Sequence, residues 1–174
     1  MNTKRILALL LALALMGCAL TACGKKAQES SKDAPATSEE SAALDLNRVY
    51  NELLAAQEGE EDPILFEMTD IEMDSLYPGL RDIAVKQRVA FVAPILGAPS
   101  EIVLLEVSSS EDLEKVQKLF QTRIDQAGDN PELPEESAQW KANAKIETNG
   151  NYIGMIVLPD GYTIPDDVFT AFGG

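Results

Sequence analysis

Asp70, Glu72 and Asp74 occupy alternate positions in TDIEMDS, and Glu67, Glu101, Glu106 and Glu147 place further carboxylates along the middle of the chain. Side chains of this kind support two chemistries. Two carboxylates set about 5–5.5 Å or about 6.5–9.5 Å apart across a glycosidic bond can hydrolyse it, one as acid and the other as nucleophile or base. Carboxylates at alternate positions of a tight loop can instead ligate calcium. The calcium pattern breaks at its next requirements, because Ser75 stands where the loop needs its glycine and Arg81 where it needs its closing glutamate. The three acids therefore read as the exposed face of a helix, and no metal ligand is assigned. With 29 acidic residues in a chain of 174, availability alone does not make a catalytic pair.

Other reactive residue types are scarce. There is no histidine, which removes the commonest general base, the usual metal ligand and the imidazole of a serine or cysteine triad. The chain has no G-x-S-x-G or S-x-x-K nucleophile motif and no glycine-rich phosphate cradle. No catalytic residue and no cofactor are assigned. Two cysteines remain, Cys18 and Cys23.

Both cysteines belong to the N-terminal segment, where Lys4 and Arg5 precede an uncharged run from Ile6 to Ala22. A basic start, an apolar run and small residues before a break are the parts of a secretory signal. The rival is a spanning helix, which needs about 20 apolar residues. This run is slightly shorter and contains Gly17 and Thr21. Leu20-Thr21-Ala22-Cys23 resembles the lipobox of bacterial lipoproteins. Leu15-Met16-Gly17-Cys18 is a second, poorer match, since Met16 is bulky before the glycine, and Cys18 otherwise fills the apolar run.

The lipobox resemblance implies that residues 1–22 are a leader cut before Cys23, and that the Cys23 thiol carries a diacylglyceryl group. Two acyl chains hold stably where one holds marginally, each buried methylene contributing about 0.8 kcal/mol. The expected address is the outer face of the plasma membrane, with the chain lipid-anchored and not spanning. The one remaining cysteine is then lipidated, so no intramolecular disulfide forms.

The chain carries 14 basic and 29 acidic residues. Without Lys4 and Arg5 the balance is 12 against 29, a net charge of −17. A surface this acidic repels nucleic acid and anionic headgroups. Residues 23–43 are polar and low in complexity, with no large apolar side chain, and read as a flexible tether spanning roughly 25 Å.

From Leu44 to the C-terminus the length suits one globular domain. Leu46, Val49, Tyr50, Leu53 and Leu54 fall on a helical stripe that Asp45 can cap, and the acidic run Glu58–Asp62 before Pro63 ends it. A short helix over Thr69–Tyr77 stops at Pro78-Gly79. Ile83, Val85, Val89 and Phe91 alternate as a strand with one wet face, and EIVLLEV at 101–107 reads as a covered central strand. Ser108-Ser109-Ser110 with Glu111 and Asp112 opens a helix whose stripe is Leu113, Val116, Phe120 and Ile124. A helix over Glu135–Ala142 carries Trp140, which reads as a core plug, with a ligand platform as the alternative. Asn149-Gly150 reads as a two-residue hairpin turn that sets Ile146 opposite Ile153, and Pro165 opens a last helix over Asp166–Phe172.

The order α-α-β-β-α-α-β-β-α predicts an α+β fold, a four-stranded mainly antiparallel sheet of two hairpins with helices packed on it. A lipobox, a polar tether, Asp45-Leu46-x-x-Val49-Tyr50-x-x-Leu53-Leu54, the Glu111–Gln126 helix and Asn143-Ala144-Lys145-Ile146 before Gly150-Asn151-Tyr152 occur together. As a set they resemble a family of small uncharacterised lipoproteins, a domain of unknown function, common in clostridia-like Gram-positive bacteria. The resemblance runs from about Leu44 to Phe172 and is weakest over Leu54–Ala84 and Gly128–Glu136. It implies an anchored extracytoplasmic protein and brings no catalytic or binding residues. The expected function is a non-enzymatic binding or interaction module, held to the membrane through Cys23, with an envelope protein as partner. An acidic face bearing Tyr77, Tyr162 or Trp140 would meet a basic surface. The alternative is a carboxylate-dependent hydrolase of envelope glycans.

Overall fold

A computed structural model describes residues 43–57 and 63–173. The expected leader at 1–22, Cys23, the expected tether up to residue 42 and the acidic run 58–62 lie outside the described residues.

The strand EIVLLEV (β3, Glu101–Val107) is buried at every position and lies in the middle of the sheet. It pairs antiparallel with β2 (Val85–Val92) on one side and β5 (Tyr152–Val157) on the other. Outside these lie β1 (Phe66–Glu67), paired to β2, and β4 (Lys145–Asn149), paired to β5. The sheet thus has five strands, in the order β1-β2-β3-β5-β4. The fifth strand, absent from the sequence reading, also changes the element order. β1 is two exposed residues long, so it carries neither the length nor the burial alternation that marks a strand in sequence. Its pairing to Phe91 and Val92 defines it.

Both faces of the sheet are covered. On one, Val103, Leu105, Val107, Ile153, Met155 and Val157 meet α2 (Asp70–Leu76), α3 (Leu113–Gly128) and α4 (Pro134–Asn143). On the other, Ile102, Leu104 and Ile156 meet α1 (Leu46–Ala55) and α5 (Val168–Phe172). The predicted stripes form these contacts: Leu46, Val49 and Leu53 of α1, and Val116, Phe120 and Ile124 of α3, are buried. Gly154 on β5 gives α5 room to approach, since a Cβ there would stand 2.8 Å from Leu104 Cδ2 and 3.2 Å from Phe169 Cζ.

Three local expectations are corrected. The pairing of β2 with β3 slips between Val85 and Gln87, so Lys86 is an extra residue on β2. Such a bulge reverses the alternation downstream. Val85 therefore packs with the α3 side, whereas Val89 and Phe91 pack with the α1 side. Ile83 precedes the strand, after a 3-10 turn at Leu80–Asp82. Second, the β4–β5 loop is Gly150-Asn151, with Asn149 opposite Tyr152 and Ile146 opposite Met155 rather than Ile153. Ile153 and Met155 are two residues apart on one face, so Ile146 keeps its place in the core. Third, α5 begins at Val168, because the Asp167 carboxylate caps it by accepting the Thr170 N–H at 3.0 Å.

Candidate functional site

The central strand carries a glutamate near each end, and their environments differ. Glu101 points to the α3 side and is fully buried. Residues from two helices meet it, and a third backs them. The Tyr77 hydroxyl, at the end of α2, donates a hydrogen bond to Glu101 Oε1. Arg123 of α3 grips the same carboxylate, with Nη2 donating to Oε2 at 2.7 Å and Nε to Oε1 at 3.3 Å. Its guanidinium lies 4.6 Å from the ring centroid of Trp140 on α4. Trp140 Nε1 in turn donates to the Gly97 carbonyl at 3.1 Å, fastening the loop between β2 and β3.

The electrostatics close this cluster on itself. Burial, then the Glu101 charge and hydrogen bond, push the Tyr77 phenol well above its usual range. Burial pulls the Arg123 guanidinium down, but the Glu101 charge and hydrogen bond outweigh it and leave the group above its usual value. A protonated phenol, a carboxylate and a permanent cation satisfy one another. Held this way, the trio is a clamp joining α2, α3 and the sheet. Beside it a cavity of about 150 Å³ is lined by Leu76, Leu96, Gly97, Arg123, Leu133 and Ser137, among others.

Glu106 points to the α1 side, and the bulge decides its partners. With Lys86 inserted, both Lys86 Nζ at 3.0 Å and Gln87 Nε2 at 2.8 Å donate to its carboxylate. Burial raises the Glu106 pKa, but the Lys86 and Gln87 hydrogen bonds outweigh it and hold the carboxyl below its usual range. Gln87 also ties down the start of the domain: its Nε2 donates to the Leu44 carbonyl at 2.7 Å and its Oε1 accepts from the Leu46 N–H at 3.1 Å. The Leu44 N–H donates to the Tyr152 hydroxyl at 3.0 Å. A cavity of about 620 Å³ opens here between Leu44, Lys86, Glu106, Asn149, Tyr152 and Phe169.

The remaining acids have separate tasks. Glu72 closes a capping box with Thr69, and the Thr69 hydroxyl and N–H hold its carboxyl below the usual range. Asp70 and Asp74 pair with Arg81 at 3.1 and 2.7 Å, and Asp70 also meets Arg88 at 3.4 Å. The calcium-like spacing thus lies along α2, with Asp70 and Glu72 in its first turn. Glu67 is exposed on β1. Glu101 and Glu106 leave the strand on opposite faces, five residues and so roughly 17 Å of extended chain apart. They do not form a carboxylate pair.

Glu147 on β4 is strained electrostatically. Its Oε2 accepts the Val168 N–H at 2.8 Å, but its Oε1 is buried without a partner. Burial raises its pKa, with Asp167 and Asp166 adding to the rise against Val168 and Lys145. A carboxyl that holds its proton more tightly when folded favours folding at low pH, and that advantage disappears as pH rises through the raised pKa. Glu147→Gln is therefore expected to stabilise the chain at pH 7, by less than ~1 kcal/mol given solvent screening. The gain should vanish below the ordinary carboxylate range. Urea unfolding across pH 3.5–7 measures it.

The aromatic residues expected at a partner surface are mostly inside. Tyr77 and Trp140 are buried with their polar atoms satisfied by Glu101 and Gly97, so neither is available to a partner. Trp140 is the core plug that its sequence context suggests. Tyr162 is half-buried beside Lys145 and Asn143 in a cavity of about 340 Å³. Sequence reasoning missed Arg123, although its position three residues after Phe120 falls inside the buried stripe of α3. Lys86 and Gln87 gave no signal, because only the bulge brings both to Glu106.

The stretch from β1 to the end of β5, with the Glu101 clamp inside it, is also the stretch that comparison recognises. A family model described as a domain of unknown function (DUF4358) matches residues 65–158. The chain belongs to that family. The DUF4358 match takes in the whole sheet and helices α2 to α4, together with Tyr77, Glu101, Arg123 and Trp140, and leaves α1 and α5 outside it. It assigns no activity. No curated protein and no solved structure matches the chain.

Proposed function

We propose that this DUF4358 chain is a lipid-anchored extracytoplasmic lipoprotein acting as a non-enzymatic binding module on the outer face of the plasma membrane. The address rests on Leu20-Thr21-Ala22-Cys23 after a basic start and an apolar run. The binding role is supported by one observation above others: the buried ionisable groups at the ends of β3 are spent on one another, and the outward-facing surface is apolar at one corner and acidic around it. Glu101, Tyr77 and Arg123 hold helices to the sheet, and Glu106, Lys86 and Gln87 hold the entering chain. A hydrolase needs a facing pair of carboxylates with one free to give up a proton; the two in the central strand face apart, which favours the binding reading. Among the described residues no helix is long and apolar enough to cross a membrane.

Cys23→Ala in the producing cell tests the anchor. It is expected to abolish incorporation of labelled fatty acid, with the circular dichroism of the domain unchanged. Continued labelling of the Cys23→Ala chain would overturn the reading.

A further inference from the structure

Four large apolar side chains project from one corner of the sheet. Phe66 on β1 is 59% exposed, and Ile64, two residues earlier on the same extended segment, is 72% exposed. Phe66 stands opposite Val92, the last residue of β2. The chain leaving Val92 turns at once into the loop that carries Ile95 and Leu96, 72% and 90% exposed. This loop is not free to fold its apolar side chains inward. Ala93 N–H bonds to Ser100 O at 2.9 Å, the Gly97 carbonyl accepts from Trp140, and Gly97 has the left-handed φ of 81°. These fastenings hold Ile95 and Leu96 out in water, where apolar exposure is unfavourable unless something covers it.

The charges around the corner say what kind of surface covers it. Glu136 lines the cavity that Leu96 also lines. Glu132 precedes Leu133, whose side chain packs under Gly97. Among the described residues neither of these two carboxylates forms a salt bridge, whereas the acids of α2, Asp70 and Asp74, are matched by Arg81. The cation lining the cavity, Arg123, is only 14% exposed and is committed to Glu101. A second copy would bring the same unpaired acids together, which is unfavourable across an interface. Anionic lipid would meet the same repulsion.

Resting on the binding reading above, we propose that the corner formed by Ile64, Phe66, Ile95 and Leu96 docks a basic, apolar segment of a protein partner. The aliphatic and aromatic side chains bury the partner's apolar residues, and Glu132 and Glu136 meet lysines or arginines at the rim. The partner class is thus a cationic envelope polypeptide.

Photo-crosslinking of the full chain in the producing cell tests this. Benzoylphenylalanine is placed at Leu96 and, as control, at Gln117, an exposed position on α3. The expected product from Leu96 is a crosslink to a polypeptide segment that mass spectrometry shows to be net basic. Its yield should fall at least about fivefold when Glu132 and Glu136 are both changed to glutamine, and it should be absent from the Gln117 chain. Crosslinking to a second copy, to lipid or to an acidic segment overturns the proposal. So does an unchanged yield in the glutamine variant, or no product above the Gln117 control. The fatty-acid label at Cys23 is read separately, so a failed anchor and a failed docking corner give different results.

Discussion

Arg123→Met is expected to lower the stability of the folded chain by about 3–5 kcal/mol, the cost of leaving a buried charge without its partner. Methionine keeps the apolar stem but removes the two hydrogen bonds that Arg123 gives the fully buried Glu101. It also removes the cation over Trp140. Tyr77 still donates to Glu101, so the carboxylate keeps one partner and loses its counter-charge. The companion experiment separates net contribution from breakage. In Tyr77→Phe, Glu101→Leu, Arg123→Met the whole polar cluster becomes apolar, and buried ionic clusters replaced in this way often end neutral or more stable by about 1–4 kcal/mol. The triple variant should therefore regain most of what the single one loses. Urea unfolding followed by Trp140 fluorescence measures both, since the chain has one tryptophan. A single-variant loss below ~1 kcal/mol would mean that Glu101 is screened by water, and the clamp account would be wrong.

That cluster also marks where sequence reading stops. The central position of EIVLLEV follows from its composition: a strand apolar at nearly every position has to be covered on both faces. The stripes of α1 and α3 and the capping of α1 by Asp45 are local periodicities, and the structure has them as expected. Tyr77, Glu101, Arg123 and Trp140 come from four elements, and nothing local in the chain announces that they meet. The clue was present in another form, as charges at 101 and 123 in positions that periodicity assigns to the interior. A charge on a buried register implies a partner charge on another. The bulge at Lys86 is harder still, since one inserted residue is invisible until β3 fixes the register, yet it decides which face Val89 and Phe91 cover. β1 exists only through its pairing with β2. The exposed corner escaped for the opposite reason: Ile95 and Leu96 are apolar in sequence, and only the structure, with their loop fastened by Ala93, Gly97 and Trp140, shows them turned outward.

Trp140 therefore has two separable roles, and its variants should show both. Trp140→Ala is expected to destabilise the chain by about 3–5 kcal/mol, as for other large buried aromatic side chains. Circular dichroism must follow that unfolding, because the fluorescence reporter is gone. Trp140→Phe keeps most of the buried ring and removes the N–H that holds Gly97, a loss of about 1 kcal/mol. Its larger effect should be local. Without the bond to Trp140 Nε1, the 93–99 loop loses one of its fastenings, and its amides should exchange with solvent faster while those of β3 keep their protection. Because Leu96 is presented by that loop, the yield of the Leu96 crosslink should fall with it. Trp140→Phe with unchanged exchange at Gly97 and Ala98 would show that Gly97 and its φ of 81° hold the loop outward without help from the indole. Arg123 lies against the same ring, so the Trp140 and Arg123 effects should not add.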